Sequence, residues 1–127
     1  MRPGMVVKEL GWDTDVEESL RDGVAELTEH ELVGDEHEDV VDTVLLWWRD
    51  GDGDLVDALV DALTDLADGG AVWVLTPKVG RDGYVDAADI AEAAPTSGLS
   101  TTSSVPAGVD WSATKLVAPK ARGGTKR

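Results

Sequence analysis

Residues 40–48, VVDTVLLWW, decide the fold. Their β-branched and aromatic side chains favour a strand, and the polar, glycine-containing run at 49–53 ends it. A second apolar run, AVWVLT at 71–76, stops at Pro77. Both runs are almost continuously apolar, which is typical of parallel strands buried on both faces. Between them, residues 54–67 carry apolar side chains at helical spacing, and the glycine pair at 69–70 follows. The pattern therefore predicts a right-handed strand–helix–strand unit.

Two further patterns lie on the amino-terminal side of this unit. Residues 14–29 are predicted to form a helix, because apolar side chains recur on one face. Those side chains are Val16, Leu20, Val24 and Leu27. The preceding stretch VVKELGW, residues 6–12, predicts a short extended segment that packs its tryptophan.

The carboxyl-terminal side adds a short helix over 87–94 and two strands over 100–105 and 113–118. A turn containing Pro106 and Gly108 joins the two strands, so they are predicted to pair antiparallel. We therefore expect an α/β fold of three layers. Its sheet is small and mostly parallel, with about four strands, and the last strand runs antiparallel.

The charge of the chain is large and unevenly distributed. The 127 residues carry a net charge of −15. Residues 1–70 contribute −17 and residues 71–127 contribute +2. Nucleic-acid backbones and anionic membranes both require a basic face, so this balance argues against both as partners.

The length and the rest of the composition restrict the protein class further. A chain of this length forms one domain, expected over residues 1–120, followed by a basic tail at 121–127 that is predicted to be disordered. The absence of cysteine excludes disulfides, thiol nucleophiles and iron–sulfur ligation. No apolar run is long enough for a signal peptide or a membrane span, so a cytoplasmic location is expected.

Three segments carry a resemblance to known proteins: KELG at 8–11, the GG-x-x-WV stretch that leads to Pro77 and Lys78, and DWS-x-x-KLV at 110–117. Across residues 5–120 the chain resembles a small actinobacterial family of unknown function. The element order also resembles the carboxyl-terminal half of a class I methyltransferase-type Rossmann fold. That resemblance implies that the four strands lie in the order first, second, fourth, third.

The chain departs from methyltransferases at the cofactor turn. Such enzymes bind their cofactor on a first strand and a glycine-rich turn. No Gly-x-Gly-x-x-Gly pattern follows a strand here. The half of the fold that holds the cofactor is therefore expected to be missing, and no cofactor is predicted.

One candidate site lies at the carboxyl ends of the two central strands, where open α/β sheets form ligand crevices. Basic and aromatic residues gather there in the sequence, which suggests a small anionic ligand. Neighbouring residues of a strand point to opposite faces, so the two tryptophans at 47 and 48 are expected to separate. The alternative is that the bases pair with nearby acids. The candidate residues are Trp48, Arg49, Thr76, Lys78 and Arg81.

A second candidate is a row of aspartates at helical spacing within and after residues 54–67. Five aspartates add nothing to helix propensity, which leaves solubility or a basic partner protein as the reason for them. The predicted docking face consists of Asp54, Asp57, Asp61, Asp65 and Asp68.

Metal and hydrolase sites are weaker predictions. DGDGD at 50–54 resembles a calcium loop, but an EF-hand would need glycine where Leu55 stands, so a turn with a helix cap is favoured. His30 and His37 are too few for a zinc site without cysteines. No serine has a recognisable base partner. No metal site and no catalytic residue are predicted.

The strand at 40–48 would be an exposed apolar edge if the first half of a methyltransferase sheet were missing. Either residues 5–12 or a second chain must cover it. We expect a homodimer, with Trp12 and Trp47 near the covering contact.

The sequence thus favours a non-catalytic regulatory or interaction protein that binds a basic partner through its acidic face. The alternative is a small-ligand binder or a degenerate methyltransferase-like enzyme that uses the strand-end crevice. A nucleic-acid mimic would be a special case of the first function.

Overall fold

The computed structural model describes residues 3–34 and 39–118. Within these ranges the chain alternates strands and helices, as an α/β fold requires. The elements are β1 (Val7–Leu10), α1 (Glu18–Thr28), β2 (Val41–Trp47), α2 (Leu55–Leu63), β3 (Leu66–Pro77), α3 (Ala87–Thr96), β4 (Ser100–Ala107) and β5 (Trp111–Val117).

The described strands form one sheet in the order β1-β2-β3-β5-β4. The pairs β1–β2 and β2–β3 are parallel, and β5 is antiparallel to both β3 and β4. Four strands therefore point the same way and β5 points the opposite way. The predicted order of the four later strands is confirmed. The predicted number of strands was one too low, because β1 joins the sheet.

Strand β1 covers the edge of β2 that the sequence left open. Its residues pair from Val7 with Thr43 to Leu10 with Leu46. The other side of β1 is occupied by Val33, whose carbonyl oxygen accepts from the Glu9 amide at 2.8 Å. The first of the two predicted ways of covering this edge is therefore confirmed. The argument for a second chain at β2 is removed with it.

The helices divide between the two faces of the sheet. Successive side chains of β2 point to opposite faces, so Leu46 packs in the core beneath α2 and α3, and Leu45 packs in the core beneath α1. Trp47 and Trp48 follow the same rule: Trp48 packs with the first core and Trp47 with the second. Their predicted separation is confirmed.

Helix α1 is shorter than predicted. It begins at Glu18, because residues 13–16 form a turn in which the Val16 amide donates to the Asp13 carbonyl oxygen. Val24 is buried as predicted, whereas Leu27 is 56% exposed. The apolar face of α1 therefore extends beyond the part of the sheet that it covers.

The predicted end of α2 is wrong. The helix ends at Leu63, and the glycine pair lies inside β3. The chain leaves the helix early because the Asp65 carbonyl oxygen accepts from the Val41 amide at 2.8 Å, which starts the pairing with β2. A Cβ on Gly70 would lie 2.8 Å from the Asp42 carbonyl oxygen, so glycine is needed for close approach of the strands. No helix among the described residues is long and apolar enough to cross a membrane.

Candidate functional site

A crevice of about 590 Å³ opens at the carboxyl ends of β1 and β2. Trp12, half exposed after β1, and Trp48, buried after β2, contribute its aromatic walls. The carboxylates of Asp13, Asp52 and Asp61 also line it. The crevice thus lies one strand away from the predicted position between β2 and β3, and its polar groups are mainly acidic.

Arg49 lines this crevice with a guanidinium that is already paired. Its Nη2 and Nε contact the two carboxylate oxygens of Asp15 at 2.6 and 3.0 Å, and its Nη1 donates to the Gly11 carbonyl oxygen at 2.9 Å. The guanidinium carbon also lies 5.3 Å from the Trp111 ring centroid. The hydrogen bonds from Arg49 lower the pKa of Asp15, and Asp15 in turn raises the pKa of Arg49.

The other predicted crevice residues lie elsewhere. Lys78 Nζ donates to the Gly108 carbonyl oxygen at 3.1 Å, and Arg81 forms an ion pair with Asp110. Both partners belong to the turn between β4 and β5, which reaches these bases because β5 pairs antiparallel with β3. Thr76 is buried within β3. Thr76, Lys78 and Arg81 therefore do not line the crevice at β1 and β2, whereas Trp48 and Arg49 do.

Glu9 links β1 to α1 and β2 on the face of the sheet that α1 covers, and it was missed in the sequence. Its carboxylate is buried and accepts hydrogen bonds from Arg21 at 2.7 and 2.9 Å. It also accepts from the Trp47 indole at 2.8 Å. Together with Glu18, it raises the pKa of Arg21. A glutamate in a four-residue strand carries no sequence signal for this role, because both partners are distant in the chain.

The predicted aspartate row does not form one helical face. Asp54 is the N-cap of α2 and accepts from the Val56 amide at 2.9 Å, so the favoured turn and helix cap at 50–54 is confirmed. Asp57 and Asp61 are exposed on α2. Asp65 pairs with Lys8 at 2.8 Å, and Asp68 lies in β3. The row is divided because α2 ends before its last two members.

A denser group of carboxylates lies on α1 and the residues after it. We call this group the α1 acidic surface, and it consists of Asp22, Glu26, Glu29 and Glu31. All four are exposed, and none pairs with a base of the described chain. They surround a shallow depression of about 350 Å³ that also includes His30. The spacing of four and three residues from 22 to 29 was a usable sequence signal for this surface.

The basic side chains contrast with these carboxylates. Within residues 3–34 and 39–118, every lysine and arginine contacts a carboxylate, a carbonyl oxygen or an aromatic ring of the chain itself. In the same ranges, no three histidine or acidic side chains are grouped so as to hold a metal ion. His37 and the predicted basic tail at 121–127 lie outside the described residues.

Comparison with known proteins agrees with the fold. Residues 1–120 match the family described as "Protein of unknown function (DUF3052)". The chain belongs to this family. It is 52% identical over 121 residues to uncharacterized proteins of Mycobacterium tuberculosis and Mycobacterium bovis. Each alignment covers 95% of this chain and 76% of the relative. The actinobacterial resemblance seen in the sequence is thereby confirmed.

Solved methyltransferases share the architecture. Magnesium protoporphyrin IX methyltransferase from Synechocystis, with bound SAH, has a TM-score of 0.58 at 13% identity. The alignment covers 91% of this chain and 74% of that one. A SAM-dependent methyltransferase from Aquifex aeolicus has a TM-score of 0.56 at 12% identity, covering 91% and 83%. At these identities the likeness shows the fold, which is the methyltransferase-type α/β fold that the sequence resembled.

Proposed function

We propose that this protein is a non-catalytic interaction protein that binds a basic partner through the α1 acidic surface. The observation that carries the proposal is the asymmetry between the two signs of charge. The four carboxylates of that surface are exposed and form no ion pair with a base among the described residues, whereas the described bases are held by internal partners. The charges of the described chain that remain available to a partner are therefore negative, and such charges attract a basic surface.

The shape of the α1 acidic surface supports the same proposal. The carboxylates border a depression rather than a flat surface, so a lysine or arginine side chain that entered it would meet several of them at once. Asp57 and Asp61 on α2 offer fewer carboxylates and lie on the other face of the sheet. We therefore move the proposed docking face from α2 to α1.

The experiment compares two triple variants that remove equal charge. One is Asp22→Asn/Glu26→Gln/Glu29→Gln, within the α1 acidic surface. The matched control is Asp82→Asn/Asp89→Asn/Glu92→Gln, which neutralises exposed acids near and on α3. Each protein serves as bait in a pull-down from host lysate, with mass spectrometry of the retained proteins.

A basic protein should be retained by wild type and by the control variant, and lost by the α1 variant. The same protein should be released as salt rises from about 0.1 M to about 1 M, because the Debye length falls from about 10 Å to about 3 Å. Equal retention by the two variants would refute the α1 surface. Salt-independent retention would refute a contact based on charge.

A second candidate function is supported by the crevice at β1 and β2. Three tryptophans and three carboxylates line about 590 Å³, and Arg49 is neutralised by Asp15. This electrostatic balance favours a neutral or cationic ligand with an aromatic ring, and disfavours the anionic ligand suggested by the sequence. SAM, which bears a sulfonium cation and an adenine ring, belongs to that class and gives its name to the enzyme from Aquifex aeolicus.

Titration calorimetry with SAM tests this second candidate. Binding should be lost in Trp12→Ala and retained in Trp73→Ala, because Trp73 lies beneath α1 rather than in the crevice. Absence of binding to the wild-type protein would refute SAM as the ligand.

A further inference from the structure

We propose that β4 and the apolar groove beside it form the contact between two copies of this chain. The groove lies between α1 and β4 and has a volume of about 250 Å³. Leu20, Val24 and Leu27 line it from α1, and Trp73 and Val105 are among its strand residues.

The groove exists because one face of the sheet is incompletely covered. Among the described elements, α2 and α3 pack on one face and α1 alone packs on the other. A helix is about 10 Å wide, and strands are about 4.8 Å apart, so α1 covers roughly two of the five strands. Leu27 is 56% exposed and Val105 is 46% exposed, where the part of the sheet covered by α1 ends.

Strand β4 adds an open edge at the same place. It is the last strand of the sheet, and seven of its eight residues are exposed. A register shift between Thr101 and Ser103 interrupts its pairing with β5, and Pro106 lacks an amide donor, so Ser103–Val105 is the regular part of the edge. The opposite edge differs, because Val33 already pairs with β1 there. Among the described strands, β4 is thus the one whose outer backbone groups have no strand partner.

The distribution of charge permits a second copy as the occupant and disfavours a basic partner, and the symmetry of the β4 edge favours the second copy. The residues that line the groove are all uncharged, as is every residue of β4. A basic partner would find no carboxylate to pair with on this surface. Two chains that each carry −15 repel one another, so they can approach closely only where acidic groups are absent. Two β4 strands related by a two-fold axis pair antiparallel, which makes the edge complementary to itself.

This contact differs from the predicted dimer, in which β2 was the exposed edge. It is also independent of the α1 acidic surface, and salt separates the two. Screening weakens attraction between opposite charges and weakens repulsion between like charges. Higher salt should therefore strengthen the dimer, whereas it should release a basic partner.

The experiment is sedimentation equilibrium on wild type, Val105→Glu and Val79→Glu. Val79 is 77% exposed in the loop after β3, so its variant adds the same charge away from the groove. Wild type and Val79→Glu should sediment at twice the 13.4 kDa of one chain. Val105→Glu should raise the dimer dissociation constant by about 30-fold or more, because each copy would bury an unpaired carboxylate. Leu27→Glu, from the other wall of the groove, should do the same.

Single cysteines give a second measurement that does not depend on the added charge. The chain contains no cysteine, so Ser103→Cys introduces a unique thiol on β4 and Val79→Cys a unique thiol elsewhere. Mild oxidation should link two copies of Ser103→Cys much faster than two copies of Val79→Cys. Near-ultraviolet circular dichroism from the five tryptophans checks that each variant is folded.

Two results would overturn the proposal. One is a wild-type protein that remains monomeric at high concentration and high salt, which would leave the edge to a foreign strand. The other is a dimer that persists in folded Val105→Glu and Leu27→Glu, which would place the contact on another surface.

Discussion

Replacing Glu9 with glutamine tests how strongly β1 is held to the sheet. The buried Glu9 carboxylate accepts three hydrogen bonds, two from Arg21 and one from the Trp47 indole, at 2.7 to 2.9 Å. A glutamine amide retains one oxygen and introduces an NH₂ group that faces existing donors. At least one donor is therefore left without an acceptor, and the partly buried Arg21 loses its main counter-charge.

The cost follows from the burial of the two partners. Breaking a fully buried ion pair costs about 3–5 kcal/mol. Arg21 is 28% exposed and keeps its hydrogen bond to Glu18, so a cost below that range is expected. We expect Glu9→Gln to reduce the free energy of unfolding by about 2–3 kcal/mol. For 127 residues this lowers Tm by about 7–11 °C.

Urea and thermal denaturation, followed by tryptophan fluorescence, measure this loss. The matched control is Glu18→Gln, which removes a carboxylate that also contacts Arg21 but is 59% exposed. The control should cost less than about 0.5 kcal/mol. If Glu9→Gln and Glu18→Gln were equally stable, the assignment of Glu9 as the buried anchor of β1 would be refuted.

Three further predictions concern two glycines, one helix cap and one ion pair. Gly11→Ala should lower the free energy of unfolding in urea by about 2 kcal/mol or more, because φ is +77° and the added Cβ would overlap a carbonyl oxygen of β2. Gly23→Ala, which adds a Cβ in open space on α1, should raise it by about 0.5–1 kcal/mol. Asp54→Ala should cost about 1 kcal/mol in the same assay, since it removes the N-cap of α2, and an unchanged midpoint would contradict that role. Asp15→Asn should cost about 0.5 kcal/mol at pH 7. Arg49 depresses the Asp15 pKa below its ordinary 3.8, so this stabilisation is complete above that pH and disappears as the pH falls further. Urea midpoints of wild type and Asp15→Asn should therefore converge as the pH falls below the depressed Asp15 pKa, and a constant difference would contradict the ion pair.

The pattern of neighbouring residues was sufficient to predict the structure wherever a feature depended on a single strand or a single helix face. The alternation of side chains along a strand placed Trp47 and Trp48 on opposite faces without knowledge of what covers them. The β4–β5 pair was readable because its turn is short. The order of the later strands came from the resemblance to methyltransferases, since periodicity alone does not order strands.

The candidate site was less predictable, because its charges find partners that are distant in the sequence. Arg49 meets Asp15 across 34 residues, and Lys78 meets Gly108 across 30. Asp65 continued a helical spacing, yet pairing with β2 ended the helix before it. In each case a contact formed by the assembled sheet overrode a pattern read from neighbouring residues. The depression on α1 was likewise invisible, because its shape depends on the segment after the helix.

The register of the sheet also bears on how the chain folds. Ala107 and Trp111 pair across only four residues, whereas Val7 pairs with Thr43 and Ala71 pairs with Val117. Loop-closure entropy opposes such distant pairings, and chains that depend on them fold slowly. We therefore expect the β4–β5 hairpin to form first during folding and the parallel strands to dock onto it afterwards. During synthesis, the described strands that are made first would then dock onto the pair that is made last.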